Sequence, residues 1–430
     1  MSIATAIQNA QQKVANAYTA VSGKGGTLPS TQDLSNLPTA INSIPTGSSP
    51  VLITKSITAN GTYNASSDNA DGYSSVTVNV SSSGVGITRE VSANGVYQMP
   101  SSNFTFSLPS NATSLGAYAM YYAFYQSTGI TSVNLSSLTT ISTNNALGYA
   151  FYQNNGLTSL NLSNLVIASG NNAMYSTFAA CSNLAGTLDL SSLTTISGSS
   201  VMYGTFLSCT KLTSLDLSSL TTISGSSAMS NTFGSCTNLT SVDLSSLATV
   251  SVGSAMNGTF SSCTKLTSIS LPSLITVVGT QSMYRTFYNC SNLESISFAS
   301  LEAIGTDTVT GSNADNGQFR ECFRNCTKLT SITFPELTAI YCTGSGSATY
   351  GTFYNNQQVQ KFYFPKLTTI TYASGASSSN QGACNYIFSN CNALTEIHFG
   401  AANQAAIEAT TGYATAWGRG AGNVTIYFDL

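Results

Sequence analysis

The sequence MYGTFLSCTKLTSLDLSSLTTISGSSA, from Met202 to Ala228, decides the fold because close variants of it fill most of the 430-residue chain. Its phenylalanine lies at ten positions: Phe124, Phe151, Phe178, Phe206, Phe233, Phe260, Phe287, Phe323, Phe353 and Phe388. The successive intervals are 27, 27, 28, 27, 27, 27, 36, 30 and 35 residues. A fixed period in the range of about 20–50 residues predicts a stacked repeat architecture.

The apolar residues within one repeat predict a single coil of chain around a shared core. In the repeat of Phe206 they are Leu212, Leu215, Leu217, Leu220 and Ile223. The alternation around Asp216 is typical of a half-buried strand. One coil buries too little to offset the cost of ordering about 1.5 kcal/mol per residue, so the coils must stack. We therefore predict a β-rich solenoid of about ten 27-residue coils over residues 115–400.

The cysteines follow the same repeat. Seven of the ten lie three residues after a repeat phenylalanine: Cys181, Cys209, Cys236, Cys263, Cys290, Cys326 and Cys391. The other three coils have Ser127, Asn154 and Asn356 there, so we interpret the column as a structural ladder that satisfies backbone groups at a bend. Disulfides and zinc are alternatives, but a ladder of seven leaves one cysteine over and no C-x-x-C pair exists. We predict no metal site, and Cys322, Cys342 and Cys384 have no assigned role.

The repeat pattern F-x-x-C-T-x-L-T-S-[LIV]-x-[LF]-[SP]-x-L-x-x-I resembles the BspA-type leucine-rich repeat. Three coils also carry its proline, at Pro272, Pro335 and Pro365. The resemblance covers about residues 115–400 and implies a leucine-rich repeat stack with a β-sheet along one face. It also implies an adhesin or binding module, with no catalytic residues and no cofactor.

The composition restricts the function further. Only 7% of the residues are charged, with Lys+Arg 13 against Asp+Glu 16 and a single histidine, His398. We therefore expect no nucleic-acid partner and little acid–base catalysis. No apolar run is long enough for membrane insertion, and the start, MSIATAIQNAQQKV, does not read as a signal peptide. Ten cysteines in such a chain favour synthesis in a reducing cytoplasm.

Residues 1–50 differ from the repeats and are interpreted as a helical anchor or oligomerisation segment. Apolar residues step by three and four from Ile3 to Val21, which fits either a coiled coil or a helix packed on a neighbouring domain. The following segment GTLPSTQDLSNLPTAINSI resembles the opening of many phage and prophage tail-associated proteins. That resemblance implies contacts with other virion proteins, and together with the helix it suggests a homo-oligomer, for which we guess a trimer.

Two small β-modules are predicted between the anchor and the repeats. The string LITKSITANGTYNASSDNADGYSSVTVNV (52–80) belongs to a module at 51–86 and resembles modules of tail proteins from phages infecting Gram-positive bacteria. A second module, or N-terminal cap, occupies 87–114. Both contain an Asn-Gly pair, Asn60-Gly61 and Asn94-Gly95, which predicts a hairpin. At the other end, residues 401–430 are predicted to cap the core with a helix in 401–417 and a strand in 423–430.

The outward strand position, ten residues after most repeat phenylalanines, forms a column. Asp189, Asp216 and Asp243 would stack about 5 Å apart. They are either a solvated acidic ladder or a site for a cation, which as calcium would need about 6–8 oxygen ligands. His398 belongs to the same column, and we expect it to be an exposed strand residue rather than a ligand or base.

The last coils are irregular and are the predicted place of recognition. Insertions arise around 306–318, 341–349 and 372–384, and aromatic and charged residues gather near them. Such loops on a regular scaffold often carry binding residues, although long insertions are also tolerated without function. The candidate binding residues are Arg320, Arg324, Tyr341, Tyr350, Lys361, Tyr363, Tyr372 and His398.

These observations lead to a functional hypothesis with alternatives. The main one is a non-enzymatic phage virion protein of the tail-fibre, receptor-binding type, made in the host cytoplasm and adhering to a host surface glycan or protein. The first alternative is a bacterial surface adhesin with BspA-type repeats. A third hypothesis is an ice or carbohydrate-crystal binder built on regular Thr/Ser columns such as Thr213, Thr240 and Thr267.

Overall fold

The computed structural model describes residues 52–57, 72–78, 104–108, 110, 112–305, 317–341, 351–371, 387–409 and 424–430. For 52–57 and 72–78 it describes the backbone only. These residues form a β-solenoid of about ten coils, as the 27-residue period predicts. The coil of Phe206 shows the three sides: a strand at Lys211–Asp216, a short strand at Thr222–Ile223 and a run of tight turns over 201–208. We call these the strand face, the short-strand face and the turn face.

The strand face is built from parallel strands, one per coil, in three consecutive sheets. The first sheet contains β1 (Leu52–Ile57), β2 (Gly72–Val78), β3 (Phe104–Ser107), β4 (Ile130–Asn134) and β6 (Ser159–Asn161). The second contains β8 (Ala185–Asp189), β10 (Lys211–Asp216), β12 (Ser241–Asp243), β14 (Ser268–Ser270), β16 (Ser295–Ser297) and β18 (Ser331–Thr333). The third contains β20 (Lys361–Phe364), β22 (Glu396–Phe399) and β23 (Thr425–Phe428).

The short-strand face is one nine-stranded parallel sheet. Its strands are β5 (Thr140–Ile141), β7 (Ile167–Ala168), β9 (Thr195–Ile196), β11 (Thr222–Ile223), β13 (Thr249–Val250), β15 (Thr276–Val277), β17 (Ala303–Ile304), β19 (Ala339–Tyr341) and β21 (Thr369–Thr371). Each strand places at least one buried aliphatic residue, such as Ile223, against the core.

The turn face has a backbone pattern that the sequence did not predict. In the coil of Phe206, every fourth residue is left-handed, with φ of 52° at Ser200, 58° at Gly204 and 61° at Ser208. Alternate N–H groups point to the next coil: Met202 donates to Ala228 O at 2.8 Å. The intervening ones close turns within the coil, as Thr205 donates to Met202 O at 3.1 Å. The backbone of this face is therefore hydrogen-bonded without helix or strand.

The core is a continuous stack of the repeat phenylalanines. From Phe124 to Phe388, successive rings are 5.2–5.7 Å apart and lie within 10° of parallel. Leucines of the strand face fill the space around them; Leu212, Leu215 and Leu217 are all buried. Each coil thus covers its neighbour's apolar cross-section, which is the condition for stability of a solenoid.

The two ends differ from the sequence predictions. The described strands on either side of Asn60-Gly61, β1 and β2, are parallel, so the hairpin is wrong for this pair. They continue the strand face through β3 into β4 because stacking, and not a local turn, sets their pairing. At the C-terminal end the helix is short: a 3-10 turn at Ala401–Asn403 leads into α1 (Gln404–Glu408).

The final strand β23 pairs in parallel with β22, and Phe428 packs on Phe399 with ring centroids 5.6 Å apart. The helical seam of residues 1–50 and the pair Asn94-Gly95 lie outside the described residues. No helix in the described part of the chain has the length and apolar character needed to span a bilayer.

Candidate binding surfaces

The seven ladder cysteines lie buried at the bend between the turn face and the strand face. Each thiol points at the carbonyl oxygen of the phenylalanine one coil earlier; Cys209 Sγ lies 3.2 Å from Phe178 O and Cys263 Sγ 3.2 Å from Phe233 O. Asn154 makes the equivalent bond to Phe124 O at 2.8 Å through its side-chain amide. Burial raises the pKa of the Cys181 and Cys236 thiols to about 12, so they stay neutral.

The structure contains a second buried ladder, which the sequence analysis did not predict. The residue before the repeat phenylalanine is threonine in six coils, and its hydroxyl donates to a carbonyl one coil earlier: Thr177, Thr205, Thr232, Thr259, Thr286 and Thr352. The bond from Thr232 to Met202 O is 2.7 Å. Cys322, which had no assigned role, occupies this position in its coil and is also buried. The recurring Thr-Phe dipeptide was the sequence signal from which this threonine ladder could have been predicted.

The aspartate column has a local structural role. Asp189, Asp216 and Asp243 lie opposite one another on adjacent strands. Each carboxylate accepts the backbone N–H two residues ahead at 2.9–3.0 Å, and the amide oxygens of Asn134 and Asn161 do the same at 3.0 and 3.1 Å. Hydrogen bonds from the hydroxyl and N–H of Ser191 lower the pKa of Asp189. The column therefore fixes the turn after each strand. Among the described residues, no three His, Cys, Asp or Glu side chains are grouped to hold a metal ion.

We had expected His398 to be an exposed strand residue, but it is largely buried. Its side chain lies between the rings of Tyr363 and Tyr427, with centroids 5.0 and 4.8 Å away, and only 9% of the residue is exposed. The parallel register of β20, β22 and β23 causes this, because it places the three flat rings directly opposite one another. The matching strings KFYF, EIHF and TIYF were the sequence signal.

Charged groups surround the same histidine. Its Nδ1 lies 2.8 Å from Asp429 Oδ1 and its Nε2 lies 3.0 Å from Glu396 Oε2. Lys361 Nζ lies 2.8 Å from the same Glu396 oxygen. Hydrogen bonds from Lys361 first, and then from His398, lower the pKa of Glu396. Both ring nitrogens are thus occupied by carboxylates, which leaves the imidazole no nitrogen for an external ligand.

Arg320 and Arg324 lie on a different side, the turn face. With Tyr284, Arg285, Tyr288, Glu321 and Tyr354 they form what we call the arginine surface. Glu321 is buried beneath it and pairs with Arg285 Nε at 2.7 Å and Arg324 Nη1 at 3.1 Å. Burial alone would lower the pKa of Arg285, but the hydrogen bond and charge of Glu321 raise it.

Aromatic rings and amides complete the arginine surface. The Arg324 guanidinium carbon lies 4.4 Å from the centroid of Tyr354, and that of Arg285 lies 4.8 Å from Tyr284. These are cation–π distances, which hold the guanidinium groups in place on the surface. Alongside runs a row of amides, in which Asn325 donates to Asn289 at 3.1 Å and Asn355 donates to Asn325 at 3.0 Å.

The remaining predicted binding residues do not join this surface. Lys361, Tyr363 and His398 lie on the strand face, whereas Tyr341 ends β19 on the short-strand face. Tyr350 and Tyr372 lie outside the described residues, as does most of each insertion. The six candidates that the structure describes therefore belong to separate faces of the coil.

Comparisons with known proteins give a family match and several similar solved structures. A family profile described as BspA type leucine rich repeat region (6 copies) matches residues 93–224, 186–315, 259–381 and 319–408. No curated protein matches the chain. A leucine-rich repeat protein from Bacteroides ovatus is 21% identical, with a TM-score of 0.41, and the match covers 69% of this chain and 63% of that one.

A leucine rich cell surface protein from Faecalibacterium prausnitzii is 16% identical, with a TM-score of 0.27 and coverage of 80% and 90% of the two chains. The pneumococcal vaccine antigen PcpA is 14% identical, with a TM-score of 0.30 and coverage of 88% and 90%. The chain spans less than two thirds of the Bacteroides ovatus protein. Because the overlapping profile matches run from residue 93 to 408, well over half of the chain, this protein belongs to the BspA-type leucine-rich repeat family.

Proposed function

We propose that this protein is a non-enzymatic adhesion protein of a bacterial cell surface and that it holds an acidic group of a host glycan or protein on its arginine surface. Membership of the BspA-type family supports the adhesive role. The same family relationship, from a profile match that begins at residue 93, supports placement at the cell surface and not in a virion.

One observation carries the choice of ligand. Among the described residues, the arginine surface contains three guanidinium groups, Arg285, Arg320 and Arg324, and one carboxylate, that of Glu321. Glu321 is shared by Arg285 and Arg324, so this pair of arginines carries one more positive charge than the carboxylate it shares, in a chain with only 7% charged residues. Guanidinium groups held beside aromatic rings bind carboxylates, sulfates or phosphates through paired hydrogen bonds.

The local backbone strengthens this choice. Arg285 and Glu321 have φ of 53° and 51°, a left-handed conformation that costs a non-glycine residue on the order of 1 kcal/mol. The equivalent positions in the four preceding coils are Ser176, Gly204, Asn231 and Gly258, and the two glycines adopt this conformation without that cost. The fold thus does not need charged residues at these positions, and strained residues that hold partly exposed guanidinium groups point to recognition.

The phage virion hypothesis is retained as a second candidate only for the N-terminal region. Its support is the resemblance of residues 1–80 to tail proteins, which the family match does not cover. Immunogold labelling of producing cells and of purified phage particles separates the two placements. Label on the particles and not on the cell envelope would replace the cell-surface proposal.

The adhesion proposal is tested with Arg320→Ser/Arg324→Ser in the full chain. Serine occupies the same coil positions at Ser230 and Ser261, so the variant should fold. We expect binding to immobilised sialylated, sulfated or uronate glycans, and to animal cells, to fall by about tenfold or more. The matched control, Lys211→Ser/Lys265→Ser, removes the same charge from another part of the surface and should bind normally. Equal loss in both variants, or no binding by the wild type, would refute the assignment.

A further inference from the structure

The turn face of the first coils carries a group of aromatic residues that has no part in the proposed function above. Eight tyrosines lie there, which we call the tyrosine surface: Tyr118, Tyr121, Tyr122, Tyr125, Tyr149, Tyr152, Tyr175 and Tyr203. Residues 91–188 contain no Asp, Glu, Lys, Arg or His. The tyrosine surface is therefore large, aromatic and uncharged, in contrast to the arginine surface.

The fold does not require tyrosine at these positions. Tyr122 donates its backbone N–H to Gly148 O in the next coil at 3.0 Å, and Gly204, at the same position of a later coil, donates to Ser230 O at 2.8 Å. Tyr118, Tyr122 and Tyr149 have φ of 55–57°, where a bulky residue is strained and glycine is not. Bulky residues are thus held at strained positions that glycine or serine fills elsewhere, which calls for a role at the surface.

The rings form a rigid platform. Tyr122 stacks on Tyr149 at 4.8 Å and 14°, and Tyr125 on Tyr152 at 5.0 Å and 7°. Tyr121 is turned nearly perpendicular to both Tyr122 and Tyr149, at 85° and 81°. The absence of a side chain at Gly148 makes this possible, because a Cβ there would lie 2.9 Å from Tyr121 Cδ2. A pre-organised surface of this kind loses little entropy when it binds a ligand.

The chemistry of the platform selects the ligand. Gln126 donates to Gln153 at 2.6 Å beside the rings, so amide groups flank the phenol groups. The aliphatic residues of these turns, such as Met120, Leu147 and Met174, are fully buried. The surface thus offers tyrosine, amide and hydroxyl groups without aliphatic anchors, the composition that antibodies use for polar ligands. Without cations it has nothing to neutralise a phosphate, sulfate or carboxylate.

We propose that the tyrosine surface binds an uncharged polysaccharide. The C–H groups of each sugar ring pack against tyrosine rings, and sugar hydroxyls exchange hydrogen bonds with phenol and amide groups. The regular spacing of about 5 Å between coils repeats the same contacts along the solenoid axis, which suits an extended chain of similar units. This binding is independent of the arginine surface, and the two sites have opposite ligand preferences.

The test uses the full chain and affinity electrophoresis in gels that contain dextran, mannan or galactan, with hyaluronate as the charged comparison. We expect retardation of the wild type by at least one neutral polysaccharide. Tyr122→Gly/Tyr149→Gly should weaken that retardation by about tenfold or more, while Tyr284→Ser/Tyr288→Ser, which removes two tyrosines from the arginine surface, should leave it unchanged. Arg320→Ser/Arg324→Ser should also leave it unchanged, which separates this site from the proposed function.

A second variant and a measurement on the wild type guard against misfolding. Tyr125→Ser/Tyr152→Ser introduces the residue found at the same position in Ser261 and should give the same loss. In the wild type, the polysaccharide that binds should protect Tyr118, which is 52% exposed, from nitration by tetranitromethane. No retention by any neutral polysaccharide, retention only by hyaluronate, or full retention of both folded tyrosine variants would each overturn the proposal.

Discussion

The buried thiols of the cysteine ladder should make this solenoid sensitive to alkaline pH. The pKa of Cys181, Cys236 and Cys391 is raised by burial from 9.0 to about 12. Between these values the folded chain keeps protons that the unfolded chain releases. Stability is therefore fully present below pH ~9 and falls as the pH rises towards 12.

The size of the effect follows from the linkage relation. At pH 10.5 each such thiol lies about 1.5 units above its unfolded pKa, which corresponds to a loss of about 2 kcal/mol per thiol. The three thiols with a pKa of about 12 together remove about 6 kcal/mol from the coils that contain them. Burial also raises the pKa of Tyr122 to about 12, which adds a loss in the same direction above pH ~10.

Urea unfolding followed by circular dichroism at pH 8, 9, 10 and 10.5 measures this loss. Cys236→Ser keeps a donor near Phe206 O but removes one titrating group. Its free energy of unfolding should therefore fall less steeply with pH than that of the wild type, and the two slopes should differ by about 1.4 kcal/mol per pH unit. In native protein at pH 8, Ellman's reagent should reach at most Cys342 and Cys384, and all ten thiols in urea. Reaction of the eight buried thiols in the native state, or a flat pH profile, would refute the reasoning.

Two further substitutions test the packing of the coils. Phe233→Ala should reduce the free energy of unfolding by about 3–5 kcal/mol, because the fully buried ring stacks on Phe206 at 5.4 Å and Phe260 at 5.7 Å. A loss below ~1 kcal/mol in urea unfolding would contradict a tight stack. Gly225→Ala should destabilise the chain strongly, because its new Cβ would clash with the carbonyl of Gly198 in the preceding coil. Gly116→Ala, which meets nothing within 4 Å, is the control, and equal melting temperatures of the two variants would show that the coils separate easily.

The core could be predicted from the sequence because its signals are periodic. Phe206, Leu215 and Cys209 recur at fixed spacing, and a fixed spacing in a stack means direct contact between coils. The turn face could not be predicted, because its residues follow neither the helical nor the strand period. Its left-handed positions hold Ser and Gly in some coils but Tyr122 or Arg285 in others.

The errors at the ends have a related cause. The hairpin signal of Asn60-Gly61 is local, whereas the pairing of β1 with β2 is set by the stack. The burial of His398 depends on Tyr363 and Tyr427, about one coil away on either side, so it becomes visible only when the string EIHF is aligned with KFYF and TIYF. The candidate binding residues near the C-terminus were predicted from their charge and aromatic character, and their division between faces could be seen only from the coil geometry.

The same geometry explains why both proposed surfaces lie on the turn face. On the strand face, the outward side chains of Asp189, Asp216 and Asp243 are occupied with turn hydrogen bonds, so replacing them would cost stability. On the turn face, the partly exposed positions join the next coil through the backbone, as between Gly204 and Ser230, while the side-chain ladder of Thr205 and Thr232 is buried beneath them. Side chains there can change from Gly204 to Tyr149 or Arg285 without loss of those bonds. A ligand surface can therefore be added to any coil on this side, and a neutral and a cationic surface can coexist on one scaffold.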